Sequence, residues 1–350
     1  MQKYTKPLLL ILALLIILIF SLQGNSTFQK KDYIFGTIVD IKIYGESKEL
    51  ATEASKEILL NFRKLHKLLH PWRKGLMYEI NEAIYNQTPL LIDNQEVISL
   101  ILRGQEYEKK TKGYFNPAIG KLVNLWGFHS EVPRNAMPSS KDILELVEAK
   151  PSMVNITIIN NELSSSNNSV KIDMGGYAKG YALDRAKKIL EKYKIKNALI
   201  NIGGNIMALG MQGNKEWIVG IQDPRNPNLM ATIPLKPGWS IGTSGDYQKY
   251  FTVNGKRYSH IINPYTGYPV SNTKSVTVLI PPGNNSGEKS DVFTNPIFIE
   301  DISKKKQIAN DLEVSHYLIV LENNEILISN ELNKIIIWQD KIHERKITIH

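Results

Sequence analysis

Apolar positions along this chain follow three patterns: an unbroken run at the start, helical spacing in a few long stretches, and short β-branched segments elsewhere. Lys3 and Lys6 precede Leu8 to Phe20, a run without a polar side chain, and Ser21-Leu-Gln-Gly-Asn-Ser follows. A full membrane span takes roughly 20 apolar residues. The shorter run behind two lysines predicts a signal peptide or N-terminal membrane anchor over residues 1–26, which places the rest of the chain outside the cytoplasmic membrane. Gly24 and Ser26 could mark a cleavage site, although no A-x-A pattern is present. Lys48 to His70 carries Ile58, Leu59, Phe62, Leu65 and Leu69 at helical spacing. A second helix is predicted from Asn94 to Lys112 with Val97, Leu100, Ile101 and Tyr107 inward, and a short third over Ile143 to Ala149. A fourth is predicted from Gly176 to Tyr193.

Tyr33 to Tyr44 reads as one strand. Val154–Asn160 and Ser169–Asp173 read as two, joined by the polar stretch NNELSSSNNS. Further strands are predicted at Ala198–Ile202, Trp217–Gln222, Trp239–Gly242, Lys274–Ile280, Tyr317–Leu321, Glu325–Ser329 and Ile335–Trp338. Asn254-Gly255 between Tyr250–Val253 and Arg257–Ile261 signals a hairpin. Pro281 to Glu288 reads as a polar loop, with two helices after it. This order is mixed α+β with antiparallel sheets and packed helices, in a single domain over 28–350, and not a regular βαβ alternation.

Composition narrows the partners. The 350 residues carry a formal net charge of +9 spread along the chain, which favours anionic ligands without choosing among them. No basic stretch is interleaved with aromatics, so nucleic acid is not expected. The absence of cysteine removes disulfides, thiolate metal sites, a cysteine nucleophile and attachment through a lipidated cysteine. Any tether must be the chain itself.

Candidate chemistry centres on Asp173-Met-Gly-Gly-Tyr-Ala-Lys-Gly-Tyr-Ala-Leu-Asp-Arg-Ala, where a strand runs through two glycines into a helix carrying Lys179 in its first turns. Free N–H groups and the positive end of the helix dipole favour phosphate there. The stretch is neither a Walker A loop nor G-x-G-x-x-G, and taken alone such a junction is more often structural. Three more stretches add weight. Asn201-Ile-Gly-Gly-Asn is a second glycine turn after a strand. Ser259-His-Ile-Ile-Asn-Pro-Tyr-Thr-Gly-Tyr-Pro places His260 before a turn. Ser290-Asp-Val-Phe-Thr-Asn puts Asp291 and Asn295 four apart on one helix face, where a carboxylate and a neutral oxygen suit Mg2+. Other polar features read as structural: Asp184 and Arg185 as helix-face partners, His66 and His70 as a pair lacking a third metal ligand, and His129 without company.

In this order, these stretches resemble the ApbE family of FAD:protein FMN transferases (flavin transferases). The similarity runs from Phe35-Gly-Thr to about Ser329 and includes Phe115-Asn-Pro-Ala-Ile-Gly-Lys-Leu-Val-Asn-Leu-Trp-Gly-Phe and TSGDYQKYF. It implies an ApbE-like α+β domain that binds FAD as substrate, uses Mg2+, transfers FMN to a Thr or Ser hydroxyl of an acceptor flavoprotein and releases AMP. Phe35 and Trp72 would touch the flavin or adenine, with Tyr114, Phe115 and Asn116 alongside. Asp173 and Lys179 would hold the nucleotide, and His260, Ile261 and Thr266 would surround the pyrophosphate and flavin. The Gly176 carbonyl, Asp291 and Asn295 would hold Mg2+. His260 is the candidate base, its alternative being a hydrogen-bonded residue that fixes the following turn. The chain departs from the family pattern at Asn116, Asn205 and Asn263, where aspartate is usual, and at Asn295, where threonine is usual. Alternative activities are FAD binding with weak or no turnover and hydrolysis of FAD to FMN and AMP. Expected acceptors are exported or membrane redox proteins.

Overall fold

The computed structural model describes residues 26–350 apart from positions 131, 133, 135, 340, 341 and 343, so the apolar run over Leu8 to Phe20 lies outside the described residues. Among the described residues no helix is long and apolar enough to cross a membrane.

The stretch predicted as one strand over Tyr33 to Tyr44 is a hairpin. β1 (Thr27–Ile34) pairs antiparallel with β2 (Thr37–Tyr44), and Ile34 faces Thr37. Phe35 and Gly36 make the turn at φ 57° and 72°, the left-handed geometry a two-residue hairpin turn needs. Alternation in β2 buries Val39, Ile41 and Ile43. α1 (Lys48–Leu68) begins at Ser47, whose side chain accepts from the Leu50 amide. The next helix, α2 (Leu76–Asn86), goes unpredicted although Met77, Ile80, Ala83 and Ile84 recur at helical spacing; among these inward residues stands Asn81. Its buried amide pairs with both backbone groups of Ile172, donating at 2.9 Å and accepting at 2.6 Å, so a polar residue sits where an apolar one would mark the helix.

β3 (Leu90–Leu91) leads to α3 (Gln95–Lys110), capped by Asn94, then α4 (Gly120–Leu125) and α5 (Ser140–Glu148). Ser139 caps α5, so it starts three residues before the predicted Ile143. β4 (Ile156–Ile159) and β5 (Glu162–Ser165) correct the second hairpin: Asn160 and Asn161 turn at φ 49° and 66°, and the polar run itself supplies the returning strand through buried Leu163. Ser169–Asp173 makes only an isolated bridge, Lys171 to Ile119. A 3-10 turn over Met174–Gly176 then opens α6 (Ala178–Lys192).

The remaining strands are β6 (Ala198–Ile202), β7 (Asn205–Leu209), β8 (Trp217–Gln222), β9 (Leu229–Leu235), β10 (Ser240–Gly245), β11 (Tyr250–Val253), β12 (Lys256–Ser259) and β13 (Thr273–Ile280). The predicted loop before the next helices ends early, because α7 (Ser286–Val292) starts inside it; α8 (Thr294–Ile299) and α9 (Lys305–Asp311) follow. The chain closes with β14 (His316–Leu321), β15 (Ile326–Ile328), α10 (Asn330–Asn333), β16 (Ile337–Trp338) and β17 (Ile347–Ile349).

Nine strands form one sheet in the order β1-β2-β6-β7-β10-β13-β14-β15-β17, antiparallel except for the parallel β15–β17 pair. Both faces are covered. Val39, Ile200, Val276 and Val278 join Ile58 and Phe62 of α1, Leu190 of α6 and Val292 of α7 in the larger core. Leu199, Ile206, Ile241 and Leu279 point the other way, against Trp217, Ile221 and Ile233 of the smaller β16-β9-β8 sheet. This two-sided burial covers all of β13, its polar Thr273, Lys274, Ser275 and Thr277 included. A third cluster, with Trp126, Phe128, Phe251 and Ile262, seats the β11–β12 hairpin on α4 and α5. The fold is mixed α+β with a largely antiparallel sheet, in agreement with the sequence reading.

Candidate functional site

Two adjoining hollows of about 1150 Å³ and 260 Å³ form a cleft, sharing Phe35, His66, His70, Trp72, His129, Lys179 and Lys249 as lining. The β1–β2 turn supplies Phe35, the end of α1 supplies His66, and the segment after it supplies His70 and Trp72. Asp173 and Lys179 come from the entry to α6, while Tyr247, Gln248, Lys249 and His260 come from the β10–β11 loop and the end of β12. Flat rings line one side. Phe35 and His66 meet edge to face at 5.5 Å, as do His66 and His70 at 5.4 Å, and Trp72 and His129 meet at a tilt at 5.2 Å. The Lys171 ammonium lies 4.7 Å from the Trp72 ring centre. Burial and neighbouring positive charge hold His66, His70 and His129 below the usual histidine range, so these rings present neutral, stackable faces. Sequence reading left all three without a role, since the His66–His70 pair gains ring partners only where the turn at Phe35 folds against it, and His129 only where its loop meets Trp72.

The rest of the lining is largely cationic and polar. Asp173 turns its Oδ1 back onto the Gly175 amide at 2.8 Å. Burial raises its pKa, while that amide and Lys249, Lys171 and Lys179 oppose the rise. The half-buried His260 is tied twice to Lys249: its amide donates to the Lys249 carbonyl at 3.0 Å, and its Nδ1 lies 3.1 Å from the same oxygen. A carbonyl can only accept, so Nδ1 carries the proton and Nε2 keeps its lone pair. Burial is the main cause that lowers the His260 pKa to about 4; the Lys249 carbonyl opposes it and the Lys179 charge adds to it. His260 is therefore a neutral imidazole with a basic nitrogen, lining the same cleft as Lys179.

Behind Lys179 lies the predicted metal trio. Asp291 is buried; its Oδ2 accepts the Gly180 amide at 3.0 Å and its Oδ1 lies 3.6 Å from the Lys179 ammonium. An uninterrupted helix would direct the Gly180 amide to the Gly176 carbonyl four residues back. Here the Asp291 carboxylate accepts it. Asn295 Nδ2 lies 3.4 Å from the Asp291 carbonyl and 3.9 Å from the position of a Cβ on Gly176, so all three residues meet. The helix breaks at Phe293, which places Pro296 in the first turn of α8, where its missing N–H costs nothing. One carboxylate, a main-chain carbonyl and a side-chain amide oxygen make an oxygen-only set that fits a hard cation. Among the described residues no cluster of three or more His, Asp or Glu side chains is placed for a metal.

The other predicted residues stand apart from the cleft lining. Phe115 is buried against Tyr107 and Tyr177, with its ring 3.0 Å from the position of a Cβ on Gly176. Tyr114 meets Tyr265 edge to face at 5.3 Å. Asn116 spends both ends of its amide on the backbone, donating to Pro151 at 2.9 Å and accepting from Ala118 at 2.8 Å. Ile261 is a core residue, and the Thr266 hydroxyl accepts from the Tyr268 amide at 3.3 Å within an exposed turn. Asn205 is buried in β7 with its amide nitrogen unbonded. Asp184 and Arg185 are not partners: Arg185 faces Glu96 at 3.6 Å, and Asp184 turns to α7.

A family model described as the ApbE family matches residues 35–318. A curated FAD:protein FMN transferase from Rhodobacter capsulatus is 32% identical over 86% of this chain, but the match spans only 56% of that protein's length. Another, from Klebsiella pneumoniae (strain 342), is 28% identical over 88% of this chain and 94% of that protein. The crystal structure of the ApbE protein from Thermotoga maritima MSB8 superposes with a TM-score of 0.80 at 29% identity, covering 89% of this chain and 99% of that one. The flavin transferase ApbE from Vibrio cholerae, at 23% identity and a TM-score of 0.72, shares the fold.

Proposed function

The chain belongs to the ApbE family of transferase enzymes, and from that premise we propose that it moves FMN from FAD to a Thr or Ser hydroxyl of an acceptor protein and releases AMP. The observation that carries this reading is the neutral His260 with its free Nε2, facing the same cleft as Lys179. Neutral rings at Phe35, His66, His70, Trp72 and His129 suit the flat ends of FAD. Lys179, Lys249 and the opening of α6 suit its diphosphate.

In the reaction, the acceptor hydroxyl oxygen bonds to the FMN phosphorus as its proton passes to His260 Nε2. The phosphoanhydride bond breaks, and AMP leaves with the bridging oxygen. Negative charge gathers on the phosphoryl and leaving oxygens, where the Lys179 ammonium is fixed by Asp291. The Gly176 carbonyl, Asp291 and Asn295 would hold Mg2+. Bound there, the ion supplies Lewis-acid neutralisation of the phosphate oxygens. The apolar run over Leu8 to Phe20 supports an exported or membrane-anchored enzyme that acts on exported or membrane redox proteins.

The test is intact-mass measurement of a candidate acceptor incubated with purified protein, FAD and Mg2+. The expected product is an acceptor heavier by FMN, with AMP in equal amount. AMP released at the same rate without acceptor, and no adduct, would replace transfer by FAD hydrolysis. FAD recovered intact would leave only binding.

A further inference from the structure

We propose that Asp184 is a positioning residue for Asp291, acting through an exchange of helix caps between α6 and α7; its catalytic consequence rests on the transfer reading above. α7 begins after Asn285, whose backbone is left-handed at φ 56° and whose side chain caps nothing. Its first amides find their acceptors on the other helix: Gly287 donates to Asp184 Oδ1 at 3.0 Å and Glu288 to Asp184 Oδ2 at 2.9 Å. In return, Asp291 of α7 accepts the Gly180 amide in the first turn of α6 at 3.0 Å. Each helix thus places a carboxylate at the other's N-terminus, where unpaired N–H groups and the dipole favour negative charge.

The approach requires glycine on both sides. A Cβ on Gly180 would lie 2.3 Å from the Gly287 carbonyl oxygen, and one on Gly287 would lie 2.4 Å from the Gly180 carbonyl oxygen. Gly180 and Asp184 are four apart, so both contact points lie along one face of α6. Asp291 follows Glu288 by about one helical turn, so the bonds that pin the Gly287 and Glu288 amides also set the rotation at which Asp291 faces Lys179 and Gly180. Arg103, 3.1 Å from Glu288, anchors the same turn to α3. Asp184 is absent from the lining of the cleft, so its effect on chemistry passes through Asp291.

The decisive variant is Asp184→Asn, which keeps the size but turns an amide donor toward one of the two N–H groups. We expect it to stay folded and to keep the FAD concentration for half-maximal AMP release within about threefold, while kcat falls about tenfold and half-saturating Mg2+ rises about tenfold, the scale seen when support behind a ligand is lost. Hydrogen exchange at Gly180, an amide that Asp184 does not touch, should speed up in the variant. Asp184→Ala should move all three in the same direction and further; if it does not fold, Asp184→Asn decides alone. Unchanged kcat and Mg2+ dependence beside a lower melting temperature would reduce Asp184 to a structural residue and overturn the proposal. If the wild-type protein releases no AMP from FAD, the transfer reading fails by itself. Exchange at Gly180 then decides the coupling, and unaltered protection there overturns it.

Discussion

The Lys249 carbonyl settles the protonation of His260, because an acceptor at Nδ1 leaves Nε2 as the basic nitrogen. With a pKa lowered from 6.5 to about 4, the ring stays neutral far into acid. The acid limb of kcat/KM should therefore fall near pH 4 rather than near 6.5. The limb of kcat should lie higher, since bound diphosphate stabilises the imidazolium; a pH–rate series separates the two. For stability the sign follows from the folded value lying below the unfolded one: the contribution of neutral His260 is complete above about 6.5 and is lost as pH falls toward 4. Replacing His260 by Ala should cut turnover by about 10² to 10⁴ while FAD still binds, as flavin fluorescence would show. Asn116 teaches the opposite lesson. The family resemblance pointed to a ligand contact, but its amide bridges Pro151 and Ala118. Asn116→Asp would set a carboxylate against the Pro151 carbonyl and should cost about 2 kcal/mol of stability in urea unfolding. The motif singled out the histidine as a candidate; its tautomer and the bonding of Asn116 were not legible, because both depend on carbonyls distant in the chain.

Among the elements, β10 and α7 are pressed together closely enough to leave no room for a side chain at Gly242. A Cβ there would lie 1.8 Å from the Ser290 carbonyl oxygen and 3.1 Å from the Asp291 amide nitrogen. Gly242→Ala must push α7 off the sheet, and we expect a loss of about 3 kcal/mol, read as a lower urea midpoint with unchanged slope. The displacement reaches Asp291, so Mg2+-dependent turnover should fall in the same variant. Helices with a clear apolar stripe, such as α1 and α3, were readable within a few residues. α2 was passed over although Met77, Ile80 and Ile84 recur at helical spacing; β5 was not readable because the serines and asparagines around Leu163 satisfy turn geometry with polar groups. Local hydrogen bonding there replaced the apolar signal that periodicity needs.

Across the whole molecule, the sheet is sandwiched between a helical layer and a small second sheet, and the cleft lies beside the helical layer. One buried cation helps close that layer. Lys305 is fully buried and donates to the carbonyls of Ile297, Phe298 and Glu300 at 2.7, 2.9 and 2.8 Å, finishing α8 from the next helix. Lys305→Met should strand these carbonyls and cost about 3 kcal/mol, measurable by thermal or urea unfolding, with FAD affinity little changed in whatever fraction remains folded. The sequence by itself determined the α+β class, the longer elements and the family, because periodicity and motif order are properties of neighbouring residues. Tertiary structure alone decided that His66, His70 and His129 share one cleft with Phe35 and Trp72, that His260 is neutral, and that Asp184 and Asp291 cap each other's helices. Those contacts join residues as much as 111 positions apart, and only the path of the folded chain brings them within hydrogen-bonding distance.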